Sequence, residues 1–62
     1  MTNPEAIERL QQRGTYLSDK LVTLQADGRN AFWTERDIEA NDLAIAALQY
    51  TEQMRLYEES AL

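Results

Sequence analysis

Apolar residues recur at alternating intervals of three and four along the first half of the chain. This spacing is typical of one face of an α-helix that packs against a neighbouring helix. It predicts a first helix over about residues 4–26. The positions that form the stripe are Ile7, Leu10, Gly14, Leu17, Leu21 and Leu24.

Both ends of this helix carry recognisable signals. Asn3 is expected to cap the N-terminus, with Pro4 at the first helical position, where its missing N–H costs nothing. Thr2 and Glu5 offer a competing capping box one residue earlier. At the other end, Gly28 is expected to adopt the left-handed conformation that closes a helix.

The second half predicts a longer helix, over about residues 35–59, with two apolar stripes on opposite sides. A helix with a single neighbour needs only one such stripe, so this helix is expected to contact at least two others. The first stripe contains Ala40, Leu43, Ala47, Tyr50, Met54, Tyr57 and Ala61. The second contains Ile38, Ile45, Leu48 and Leu56.

The connector, residues 27–34, contains the chain's single Phe and single Trp side by side. Thr34 is the expected N-cap of the second helix, and Asp37 approximates its capping-box partner. Trp33 then precedes the cap and is expected to pack on Ile38 as a hydrophobic staple. Phe32 has no role in this local pattern.

Two helices of similar length favour an all-α fold, a two-helix antiparallel hairpin that dimerises into a four-helix bundle. A 62-residue chain without Cys has few other ways to enlarge its core. We therefore expect a homodimer, or a higher homo-oligomer, in which the second stripe is also buried. The expected oligomer interface comprises Gly14, Ile38, Ile45, Leu48, Tyr50, Met54 and Tyr57.

Gly14 has two interpretations. It costs about 1 kcal/mol relative to Ala in a helix interior, and its place on the stripe indicates close packing of another backbone or a large ring. Tyr50, Tyr57 or Trp33 could fill that gap. Alternatively, Gly14 marks a break or kink in the first helix.

The net charge of −5 lies entirely in the second half of the chain. Residues 1–31 carry four basic and four acidic side chains, whereas residues 32–62 carry two basic and seven acidic ones. Such a surface repels nucleic acid and attracts basic partners, or it simply keeps a small oligomer soluble. Direct DNA binding is not expected, because the second helix is too long and too acidic for a recognition helix.

Catalytic, cofactor and metal sites are not expected. The chain has neither Cys nor His, and no motif for phosphate binding or nucleophilic catalysis occurs. Glu35, Glu39 and Asp42 share one helix face and could contact a calcium or magnesium ion, but a solvated face explains them better. No apolar run approaches the roughly 20 residues of a membrane span, so we expect a cytoplasmic protein.

Protein binding is the remaining function. The expected partner surface comprises Arg29 and Phe32 in the connector and the acidic residues Glu35, Glu39 and Asp42. Trp, Tyr and Arg are favoured anchors at interfaces. Two alternatives remain: a mimic of DNA charge that blocks a nucleic-acid-binding protein, and an assembly factor that only oligomerises.

The segments "MTNPEAIERLQQRG" and "FWTERDIEANDLAIAALQ", in a small acidic two-helix chain without Cys, resemble the small early-region proteins of temperate lambdoid phages. Those proteins are encoded by short reading frames between the recombination exonuclease and excisionase genes. The resemblance implies a regulator that acts by binding in the host cytoplasm. It would steer infected cells toward lytic development or disturb the host cell cycle. It transfers no site residue to this chain.

Overall fold

The computed structural model describes residues 1–61, which form two α-helices joined by a short connector. Helix α1 spans Asn3–Ala26 and helix α2 spans Phe32–Ala61. They lie side by side as a hairpin measuring 55 × 16 × 14 Å. The all-α hairpin predicted from the sequence is confirmed for one chain.

Thr2, rather than Asn3, caps α1. Its hydroxyl accepts a hydrogen bond from the Glu5 backbone N–H, with an oxygen-to-nitrogen distance of 3.3 Å. Asn3 is therefore the first helical residue and Pro4 the second, still within the turn where a missing N–H is harmless. Of the two predicted registers, the one with Thr2 as the N-cap is correct.

Gly28 ends α1 as predicted. Its φ of 67° is left-handed. Its N–H donates to the Gln25 carbonyl at 3.1 Å, and the Arg29 N–H donates to the Leu24 carbonyl at 2.9 Å. These two bonds form a Schellman motif, which satisfies carbonyls that the helix end would otherwise leave open.

Helix α2 begins three residues earlier than predicted. The Asn30 side-chain oxygen accepts from the Phe32 N–H at 2.9 Å, and the Glu35 N–H donates to the Ala31 carbonyl at 2.9 Å. Asn30 thus performs the capping that was assigned to Thr34 and Asp37. Because Trp33 is already helical and largely exposed, the predicted staple onto Ile38 is wrong.

The core is a narrow seam between the two helices. The predicted stripe of α1 faces it, and Leu17 in that stripe is the one fully buried apolar residue within residues 1–61. From α2, the seam receives side chains spaced alternately by four and three residues, which are Thr34, Ile38, Asn41, Ile45, Leu48 and Glu52. The second predicted stripe of α2 therefore supplies the contacts with α1.

Helix α2 extends beyond α1 at its C-terminal end. The first four residues of the chain lie beside Glu52 and Arg55. Residues 56–61 therefore continue past the start of α1, with no partner helix beside them in the part of the chain that the structure describes. This explains why Leu56, on the α1 side of α2, is half exposed.

Candidate interaction surfaces

An aromatic pair marks the turn end of the hairpin. The Phe32 and Trp33 rings pack edge to face, with centroids 5.1 Å apart and planes at 80°. Trp33 is 74% exposed and Phe32 46% exposed. The sequence singled out Phe32 as the exposed ring, but the structure exposes both, and Trp33 more.

Arg36 completes this aromatic tip, which we define as Phe32, Trp33 and Arg36. Its guanidinium carbon lies 5.1 Å from the centroid of the Phe32 ring, within range of a cation–π interaction. The same guanidinium pairs with Glu39, with a nitrogen-to-oxygen distance of 2.8 Å. The sequence pointed to Arg29 for this role, and Arg29 lies exposed in the connector.

The predicted acidic set lies on the exposed surface of α2. Glu35, Glu39 and Asp42 are all exposed, and Glu39 is engaged by Arg36. Within residues 1–61, no three acidic side chains come close enough together to hold a metal ion. The set therefore presents negative charge to solvent and does not form a cation cage.

The predicted interface residues separate onto two opposite faces. Four of them lie in the seam of a single chain, on the sides of α1 and α2 that face each other at Gly14 and Asn41. These four are Gly14, Ile38, Ile45 and Leu48. Tyr50, Met54 and Tyr57 lie on the other side of α2 and are exposed. These last three are the more exposed set, whereas the seam residues are half-buried.

Asn41 occupies the gap at Gly14, where the sequence led us to expect Tyr50, Tyr57 or Trp33. Asn41 is 4% exposed, and its amide nitrogen donates to the Leu10 carbonyl at 2.8 Å. A methyl group at Gly14 would lie 3.2 Å from that nitrogen. Helix α1 continues through Gly14, so close packing is correct and the alternative of a break is wrong.

The amide oxygen of Asn41 is buried without a hydrogen-bond partner among the described residues. A buried polar group in a helix seam lowers stability but restricts the helices to one alignment. Sequence reasoning missed this residue because Asn usually lies on the surface. Its spacing from Ile38 and Ile45, three and four residues, was the available signal.

An ion-pair network lies where the start of α1 meets α2. Arg55 pairs with Glu52 at 2.5 Å and with Glu59 at 2.6 Å. The hydrogen bond from Arg55 holds the pKa of the Glu52 carboxyl below its ordinary value of 4.5. Because the Arg55 and Glu59 side chains are 49% and 61% exposed, solvent screens the network and it contributes little to folding stability, even though the Glu52 side chain is only 16% exposed.

Comparisons of this chain with protein-family models, curated proteins and solved structures found no significant match. Within residues 1–61, neither helix is long and apolar enough to cross a membrane.

Proposed function

We propose that this chain is a non-enzymatic regulator that self-associates and acts by binding another protein through its aromatic tip. One observation carries the proposal: Trp33 and Phe32 stand exposed together, and Arg36 is already fixed against the Phe32 ring. Aromatic and Arg side chains dominate the energetics of protein interfaces. Because these rings are held on the first turn of α2, little ordering is needed on binding.

The charge around the tip narrows the class of partner. Glu35 and Asp37 lie next to it and are exposed, and the chain as a whole carries −5. We infer a partner whose surface combines an apolar pocket for the rings with basic residues around it. Following the phage resemblance, that partner is a host protein in the cytoplasm.

Affinity capture from host lysate, followed by mass spectrometry, tests this proposal. We expect a specific protein to be retained by the wild-type chain and lost with Trp33→Ala or Phe32→Ala. Tyr16→Ala is the matched control, because Tyr16 is also an exposed aromatic residue but lies on α1. Retention that is unchanged by all three substitutions would contradict a role for the tip.

Mimicry of DNA charge is the second candidate, supported by the seven acidic residues of the second half. The two candidates respond differently to salt. Capture through a charge mimic weakens steeply as salt is raised, whereas capture through desolvated aromatic rings changes little. Two results together would favour mimicry. The retained protein would be lost at moderate salt, and the tip variants would still capture it at low salt.

A further inference from the structure

One whole face of α2 has no neighbouring helix among residues 1–61. We define the outer face as six residues at heptad spacing, and Leu43, Tyr50 and Tyr57 among them are at least 65% exposed. It points away from Asn41 and hence away from α1. The six residues of the outer face are Ala40, Leu43, Ala47, Tyr50, Met54 and Tyr57.

The exposed area of the chain indicates how much surface a partner would cover. The chain exposes 4983 Å², whereas a compact monomer of its 7.2 kDa exposes about 4100 Å². The excess is roughly 900 Å², close to the ~800 Å² that each partner buries in a standard protein–protein interface. A partner that covers the outer face would remove this excess.

The order of side-chain sizes along the outer face points to the occupant. The small residues Ala40 and Ala47 lie in its N-terminal part, and the large rings of Tyr50 and Tyr57 in its C-terminal part. A helix face with this gradient packs evenly against a second copy of the same face when the two helices run in opposite directions. We propose that a second copy of this chain docks on the outer face, with the two α2 helices antiparallel.

The heptad spacing fixes the register of this pairing. In heptad notation, Ala40, Ala47 and Met54 occupy a positions, and Leu43, Tyr50 and Tyr57 occupy d positions. Antiparallel helices place a positions opposite d positions. The register that pairs all six residues makes three kinds of layer. Ala40 faces the partner's Tyr57, Leu43 faces the partner's Met54, and Ala47 faces the partner's Tyr50. Each layer then holds a small residue with a ring, or two side chains of medium size, so the packed volume stays even along the interface.

A parallel pairing would pack poorly. It would place Ala47 against its own copy and Tyr50 against its own copy, which gives alternating voids and crowded layers. Voids and overpacking both destabilise an apolar interface.

This arrangement, which rests on the self-association proposed above, leaves the Phe32 and Trp33 rings of each aromatic tip free. In the stated register, Phe32 lies beyond the end of the partner's α2. The two tips would stand about 50 Å apart at opposite ends of the dimer, at 1.5 Å of rise per residue. The dimer would therefore be bivalent for its protein partner, which raises avidity without new contacts.

Tyr50→Lys tests the face, and Tyr16→Lys is its control. The two tyrosines are 65% and 64% exposed in one chain, but Tyr16 lies on α1. Light scattering and circular dichroism should show that Tyr50→Lys stays helical while its dimer dissociation constant rises at least about tenfold. Tyr16→Lys should dimerise like wild type. A Tyr50→Lys variant that dimerises normally would contradict docking on the outer face without contradicting self-association.

Spin-label distances test the register without altering the outer face. The chain has no Cys, so Gln49→Cys and Glu58→Cys each provide a single labelling site outside that face. Antiparallel pairing predicts Gln49 labels within about 20 Å of each other and Glu58 labels about 30 Å or more apart. Short distances at both positions would establish a parallel dimer and overturn the proposal. Absence of any intermolecular distance would overturn self-association as well.

Discussion

Gly14 and Asn41 pack tightly against each other between the two helices, and a mutational cycle can measure this fit. Gly14→Ala gains about 1 kcal/mol of helix propensity. However, the added methyl would press on the Asn41 amide and disturb its bond to Leu10, which costs about 1–3 kcal/mol for a buried group. The gain and the cost together should lower the free energy of unfolding by about 1 kcal/mol.

The same substitution in an Asn41→Ala background should reverse sign. With the amide gone, the methyl at Gly14 has room, and the helix-propensity gain of about 1 kcal/mol remains. Urea denaturation of the four variants gives the coupling between the two positions. If Gly14→Ala stabilises the wild-type chain, the close fit does not exist.

Asn30 is the second residue with a distinct role, since it caps α2. Asn30→Ala should lower the free energy of unfolding by about 1 kcal/mol, because the Phe32 N–H loses its acceptor. Hydrogen exchange at the Phe32 amide should accelerate at the same time. Thr34→Val should change neither quantity appreciably, whereas a cap at Thr34 would make it the costlier substitution.

This pair of residues shows what local sequence signals can and cannot decide. Asn30 and Thr34 are both good N-caps and lie one helical turn apart. The sequence around Thr34 also offers Asp37 and the Trp33–Ile38 pair, so capping statistics favour the wrong site. The Asn30 bond to the Phe32 N–H is itself local. What decides between the two sites is the packing of Thr34 into the seam, which is a tertiary effect.

At the scale of the elements, α1 was predictable and α2 only in part. The single stripe of α1 and its Gly28 terminus follow directly from periodicity and backbone chemistry. Helix α2 has two apolar stripes, and nothing in their spacing says which one faces α1. The stripe with Ile38, Ile45 and Leu48 does so, and this places Asn41 opposite Gly14.

The pairing of Glu52 with Arg55 predicts a pH dependence at the end where α1 begins. The pKa of Glu52 is lowered mainly by its hydrogen bond to Arg55. A carboxyl with a lowered pKa contributes stability that is present above its ordinary value of 4.5 and is lost as the pH falls through the lowered pKa.

An NMR titration of the Glu52 carboxyl checks this directly. Arg55→Gln should raise the Glu52 pKa toward 4.5, because its main hydrogen-bond donor is removed. Arg36→Gln removes a charge elsewhere on α2 and should leave the Glu52 titration unchanged. Equal shifts in both variants would indicate a general charge effect in place of the local pair.

At the scale of the whole molecule, one chain has a seam but little enclosed core. Only Leu17 is a fully buried apolar residue within residues 1–61, and the radius of gyration is 15.4 Å. A compact domain of this length would have a radius of about 10.6 Å. The sequence predicted that such a chain needs a partner. Helix α1 covers one apolar face of α2, which leaves the outer face as the site that we propose for that partner.

Self-association should therefore make stability depend on protein concentration. If the dimer forms only from folded chains, the thermal midpoint rises with concentration by mass action. Thermal unfolding followed by circular dichroism at several concentrations should show this rise in the wild type and a weaker rise in Tyr50→Lys. A midpoint that does not move with concentration would argue against a folded dimer.

The central claim is that a single hairpin is only half of the functional molecule. Light scattering of the wild-type chain across a range of concentrations tests it most directly. We predict a mass of twice 7.2 kDa at high concentration that falls toward 7.2 kDa on dilution. A stable, fully helical species of 7.2 kDa at every concentration would contradict the claim.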